Sequence, residues 1–222
     1  MIKALIMDIG GILSPDIWEH LFLSKERISS FESVPKDTLQ GVGAKYFALF
    51  AYRVWDRAIS WQKLERIYWE LVAAELNVTL NLAEVEQKTE DAIVSLIEMA
   101  RLKEFAITSS MRIVFCSNET PFWFMRQKDK LAWDAVCRSD AFMMSFVFGE
   151  SKSDSRATMF RACVDYLQTP PAETLFIDNQ HGNIQQAKNF GFRALRFQSH
   201  KRENNLVKLL KAMSRSEEGS NG

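Results

Sequence analysis

The stretch Ile2-Lys3-Ala4-Leu5-Ile6-Met7-Asp8-Ile9-Gly10-Gly11-Ile12-Leu13 decides how the rest of the chain is read. An apolar run broken only by Lys3 ends at a carboxylate, Asp8, and then at two glycines. Such a run reads as a buried strand. Asp8 then sits at the carboxyl edge of that strand, outside which open α/β sheets bind their ligands. A glycine pair lets the backbone turn sharply and approach a ligand closely. An acid in that place needs partners, and later segments must supply them.

Downstream, Ser14-Pro15-Asp16 forms a turn and capping cluster, after which Ile17, Trp18, Leu21 and Phe22 recur at helical spacing. Helices are expected over 45–61, with a Phe47, Phe50, Ala51, Trp55 face, over 62–76 and over 82–100. Residues 30–42, with Pro35 and Gly41, read as the mobile link. Strand character returns at Arg112 to Cys116 and stops at Ser117-Asn118-Glu119-Thr120. A helix over 123–135, a weaker strand or turn over 141–148 closing at Gly149, and a helix over 154–167 follow. The run 174–177 ends at Asp178-Asn179, a helix through 185–190 stops at Gly191, and 194–197 is a short last strand. Strands alternating with helices argue for βαβ units and a parallel sheet. The expected fold is α/β, a doubly wound, Rossmann-like parallel sheet built from 1–14 and 102–213, with an all-helical cap inserted over 15–101. An amphipathic helix is expected over 204–213, and the small polar residues 214–222 read as a disordered tail.

With 47% apolar residues among 222, the chain can bury a substantial core. Twenty-eight basic residues balance twenty-eight acidic ones, so no overall field recruits nucleic acid or an anionic membrane, and a small substrate is expected. Cys116, Cys137 and Cys163 form no CxxC pair and read as reduced thiols. No leader pattern and no run near ~18 apolar residues is present, so a cytoplasmic location and no membrane partner are expected.

Asp8, Ser117, Lys152 and Asp178 lie where apolar strands end or helices begin. In that order they resemble the four motifs of the haloacid dehalogenase superfamily, most of whose members are phosphatases with an aspartate nucleophile. Asp8-Ile9-Gly10-Gly11-Ile12 resembles the DxDGT/V motif, and Ser117-Asn118 the strand-Ser-Asn motif. Gly149-Glu150-Ser151-Lys152-Ser153-Asp154 resembles GxxKPD, and Phe176-Ile177-Asp178-Asn179 followed by Asn183 resembles FIDDxxxN. The turn DIGGIL is similar to the DxGGVL of the branch that includes the phosphatase domain of soluble epoxide hydrolase and small sugar-phosphate phosphatases.

The resemblance implies a phosphatase in which Asp8 attacks phosphorus and an aspartyl-phosphate forms. It implies Mg²⁺ held by Asp8, Asp178 and the Gly10 carbonyl, and a substrate site made by Gly10, Gly11, Ser117, the Asn118 amide at a helix start, and Lys152. The substrate would be a small phosphorylated metabolite and the protein a monomer or homodimer. Gly10 stands where many of these phosphatases carry an acid-base aspartate, which implies slow turnover or a proton carrier from elsewhere. Asp16 and His20 are the early candidates. Asn179 replaces a further aspartate, which implies a looser metal. The rivals are a metal-free dehalogenase and a decayed binding or regulatory protein. Tyr46, Phe47, Phe50, Tyr52, Trp55 and Trp61, with Phe122, Trp123 and Phe124, either pack cap on core, form a dimer face, or shape a pocket for an apolar leaving group. His181 is expected on a loop facing solvent.

Overall fold

The computed structural model describes residues 2–96, 99–133 and 141–197. Its centre is β1 (Ala4–Met7), buried on both faces, as an uninterrupted apolar strand requires. β1 pairs in parallel with β2 (Arg112–Ser117) on one side and β4 (Thr174–Asp178) on the other. β3 (Phe142–Met144) and β5 (Arg193–Arg196) complete a five-stranded parallel sheet of order β3-β2-β1-β4-β5. The register sets Met7 level with Phe115 and Ile177. Asp8, Ser117 and Asp178 therefore emerge together at the carboxyl edge.

One face of the sheet packs Leu5, Met7, Phe115 and Ile177 against Leu102 and Phe105 of α5 (Met99–Ser109), Phe124 of α6 (Pro121–Leu131) and Trp133. The other packs Ile6, Val114 and Phe176 against Phe160 and Leu167 of α8 (Thr158–Leu167) and Ile184 and Ala187 of α9 (His181–Phe190). A third apolar cluster gathers α1 (Ile17–Leu23), α2 (Lys36–Ala51), α3 (Trp61–Leu76) and α4 (Leu82–Ala92) around Phe22, Tyr68 and Val72, with Phe122 and Trp123 of α6 driven into it. This helical layer is the cap. Arg126 fastens it to the core, donating through Nη2 to Glu65 of α3 at 2.9 Å and through Nη1 to Glu90 of α4 at 2.9 Å. The fold is thus α/β with a helical cap, as the sequence pattern implied.

Several local expectations change. Residues 36–42 are helical, because α2 buries Leu39, Val42 and Tyr46 and tertiary packing overrides the weak propensity of its glycines. Gly43 lies against α1, where an added Cβ would meet Phe22 and Trp18 at 3.2 Å. α2 ends at Ala51, and a new helix starts only at Trp61, capped by Ser60, whose hydroxyl accepts from Lys63 N–H. The helix expected over 82–100 stops at Ala92, and the chain passes the opening turn, with Leu96 N–H bonded to Leu13 carbonyl at 2.9 Å. α5, which begins at Met99, was not foreseen. The weak segment after 141 splits into β3 and the single-turn α7 (Ser145–Phe148), which Gly149 closes at φ 70°. Helix α8 starts at Thr158, four residues later than expected. The expected helix over 204–213 and tail over 214–222 lie outside the described residues, as does Cys137. Among the described residues no helix is long and apolar enough to cross a membrane.

Candidate active site

Past Met7 the backbone folds tightly on itself: Leu13 N–H bonds to Ile9 carbonyl at 2.8 Å and Gly11 N–H to Ser14 carbonyl at 2.7 Å. Gly11 carries φ 70°, a left-handed conformation that favours glycine. Three donors converge on one oxygen of the buried Asp8. The Ile9 N–H lies at 2.8 Å from Oδ1, the Ser117 hydroxyl at 2.8 Å and the Lys152 ammonium at 2.7 Å. Among the described residues none reaches Oδ2.

Lys152 is 1% exposed and bridges to the second acid, with Nζ 2.6 Å from Asp178 Oδ2. Asp178 is held in turn by Gln180 N–H at 2.7 Å and the Asn183 amide at 3.0 Å. Burial works against the Lys152 ammonium, but Asp178 and Asp8 outweigh it and hold the pKa above the usual lysine value. Burial, and then the charge of Asp178, push Asp8 up to about 7 against the opposing pull of Lys152 and Ser117. One ammonium thus undercompensates two carboxylates.

Asp8, Ser117, Asn118, Lys152 and Gly10 line a cavity of about 330 Å³, and Asp178 closes it from behind through Lys152. One expectation is corrected. Asn118 is not at a helix start: α6 begins at Pro121, and its cap is Thr120, whose hydroxyl accepts from Trp123 N–H. The Asn118 side-chain oxygen instead accepts from Lys152 N–H at 2.9 Å, fixing the lysine loop. The Gly11 N–H is engaged within the turn, and the residue makes room for Asn179, whose amide nitrogen would lie 2.0 Å from a Cβ there.

Gly10 has an analogous role. A Cβ on Gly10 would lie 2.3 Å from Asp16 Oδ1, so the Asp16 carboxylate occupies the space that a side chain at position 10 would take. Asp16 stands at the N-cap of α1 yet makes no capping hydrogen bond; its Oδ2 instead receives the Asn179 amide at 3.4 Å. Burial, and then Glu19, raise its pKa to about 6. His20 lies 3.6 Å from Glu26 and does not line the cavity, and His181 is exposed.

The cap contributes Trp18, Glu19, Phe47 and Tyr52 to the cavity wall, whereas Tyr46, Phe50, Phe122 and Trp123 are buried in the cap cluster. The aromatics therefore divide between packing and pocket. Behind the site lies an acid that the sequence reading missed. Glu119 is buried, accepts from Thr120 N–H at 2.9 Å and the Gln127 amide at 3.1 Å, and is pushed by burial to a pKa of about 8. Following Ser117-Asn118 in an apparent loop, it carried no pattern that distinguished it from a solvated charge.

No protein-family model matches the sequence, and no curated protein matches it. Solved structures do. A haloacid dehalogenase family enzyme from Bacteroides thetaiotaomicron superposes with TM-score 0.63 at 16% identity, over 90% of this chain and 96% of that one. The same enzyme with magnesium and inorganic phosphate gives TM-score 0.57 at 15% identity, over 94% and 99%. The L-2-haloacid dehalogenase of Xanthobacter autotrophicus, with chloropropionic acid covalently bound, gives 0.60 at 18% identity, over 96% and 88%. With its parallel five-stranded sheet and helical cap, the chain has the fold of the haloacid dehalogenase superfamily.

Proposed function

We propose that the protein is a Mg²⁺-dependent phosphatase hydrolysing a small phosphomonoester through an aspartyl-phosphate on Asp8. The observation that carries this reading is the convergence of Ile9 N–H, Ser117 and Lys152 on Asp8 Oδ1, which fixes the carboxylate and leaves Oδ2 free to attack. In the first displacement Oδ2 bonds to phosphorus as the ester P–O bond breaks. In the second a water oxygen bonds to phosphorus as the Oδ2–P bond breaks, releasing phosphate. Ser117 and Lys152 orient the nucleophile, and the Asn118 amide nitrogen is available to a phosphoryl oxygen. Asp16, which lines the same cavity with its pKa raised to about 6, gives its proton to the departing oxygen and recovers one from the attacking water. Asp8, Asp178 and the Gly10 carbonyl are hard oxygen donors carrying more negative charge than Lys152 neutralises, a set that suits Mg²⁺. When bound, the ion would screen the repulsion between Asp8 and the phosphate. The magnesium-phosphate complex of the Bacteroides enzyme supports this reading.

Purified protein should release inorganic phosphate from a phosphomonoester panel with Mg²⁺, stop with a chelator, and release no halide from 2-haloacids. Metal-independent halide release would establish a dehalogenase instead, and ligand binding without turnover a decayed site. The proton-carrier role has its own test. Asp16→Ala should slow alkyl phosphates on the order of 10²-fold but p-nitrophenyl phosphate, whose leaving group needs no proton, far less. Gly10→Asp should harm the wild type, where Asp16 fills the space, and should partly restore alkyl-phosphate hydrolysis to Asp16→Ala. An equal effect of Asp16→Ala on both ester classes would count against the role.

A further inference from the structure

The cap's share of the cavity is aromatic and acidic. Trp18, Phe47 and Tyr52 form an angled surface: Trp18 and Phe47 have ring centroids 6.3 Å apart, and Phe47 and Tyr52 meet at 6.2 Å with their planes at 89°. The surface is packed from behind. Trp123 stacks on Phe47 at 6.3 Å, and Trp18 lies on Gly43, where a Cβ would come within 3.2 Å of it. Ala44 and Ala48, one helical turn apart on α2, keep the space in front of the rings open.

Among the described lining residues the cap adds Asp16 and Glu19 but no base. The one lysine of the cavity, Lys152, is bonded to Asp8 and Asp178. The basic residues adjoining the wall in sequence are engaged elsewhere, Lys45 with the Glu75 carboxylate and Arg53 over the Trp55 ring at 4.9 Å. A carboxylate or second phosphate on the substrate would face Asp16 and Glu19 with no counter-charge from the cap. A plain hydrocarbon would use the rings but not the acid. Aromatic rings on a cavity wall that also carries a carboxylate attract a cation through the ring quadrupoles and direct charge. A cavity of about 330 Å³ holds a phosphate and a short alcohol.

Building on the phosphatase reading, we infer that the substrate is a phosphomonoester of an amino alcohol, its ammonium group held against the cap wall of Trp18, Phe47 and Tyr52 that also carries Glu19. The phosphate faces Asp8, and the cation sets the choice among esters. Rates with Mg²⁺ on phosphocholine and phosphoethanolamine, against the uncharged isostere 3,3-dimethylbutyl phosphate and the anionic 3-phosphoglycerate, test this. The better ammonium ester should exceed the neutral isostere in kcat/KM by ~10-fold and the anionic ester by ~100-fold. Glu19→Gln and Phe47→Leu should each reduce the ammonium-to-neutral ratio ~5-fold. A neutral or anionic ester hydrolysed equally well or better overturns the inference. If no ester is hydrolysed, melting shifts of the Asp8→Asn protein separate the two readings. Stabilisation by phosphocholine over the neutral isostere keeps the cation site and rejects the phosphatase reading, and equal shifts overturn the cation site itself.

Discussion

Asp8→Asn should abolish phosphate release, by ~10⁴-fold or more, in a protein that stays folded. The substitution keeps the shape of the side chain, and an amide oxygen still accepts from Ile9 N–H and the Ser117 hydroxyl. It removes the carboxylate that forms the bond to phosphorus, and no other acid in the cavity is held by the same donors. Stability should not suffer. Burial and Asp178 raise the Asp8 pKa to about 7, above its unfolded value near 3.8, so the folded state binds a proton that the unfolded chain has already lost. For a carboxylate raised on folding, stability is full below the unfolded pKa and falls as pH rises through the folded one. A neutral asparagine escapes that penalty, and at pH 8 the variant should melt at or above the wild-type temperature even though Lys152 loses one partner. The measurements are phosphate release and a melting curve on one preparation. Wild-type turnover by Asp8→Asn would remove Asp8 from the chemistry.

The contrast between Asp8 and Asp16 marks how far the sequence could be read. Asp8, Ser117, Lys152 and Asp178 were legible because each ends a strand or sits in a loop beside one, and parallel pairing brings strand ends together: Met7 lies level with Phe115 and Ile177. β1, β2 and β4 are buried on both faces, so their apolar runs were unambiguous. α2 was obscured because Pro35, Gly41 and Gly43 look like a linker, while the packing of Gly43 on Phe22 and Trp18 is a tertiary fact. Asp16 could be named as a candidate, but its carboxylate matters because of the space above Gly10, and its failure to cap α1 appears only in three dimensions. The wall of Trp18, Phe47 and Tyr52 comes from the start of one helix, the middle of another and the loop after it, a juxtaposition that no local period encodes.

Lys152→Met should cost both activity and stability, and the two losses should respond differently to pH and to a cation. The ammonium is 1% exposed and lies within 2.7 Å of Asp8 and 2.6 Å of Asp178. A methionine fills the volume but leaves two buried carboxylates facing each other, a loss of ~3–5 kcal/mol for breaking a buried ionic cluster from one side. Activity should fall on the order of 10³-fold, because the nucleophile loses both its orienting donor and the charge that keeps it ionised. The sign of the pH effect follows from the repulsion. Without the ammonium the already raised pKa of Asp8 climbs further, so the variant is penalised most at high pH, where Asp8 ionises freely in the unfolded chain but not beside Asp178 in the folded one. The melting gap to wild type should therefore be widest near pH 8 and should narrow as pH falls below about 5. Mg²⁺ adds an independent readout. If Asp8 and Asp178 hold the ion, it should raise the melting temperature of Lys152→Met more than that of the wild type, because the cation then relieves a repulsion that Lys152 no longer does. A gap that ignores both pH and Mg²⁺ would mean that Lys152 acts through packing alone and that the two carboxylates do not share a charge problem.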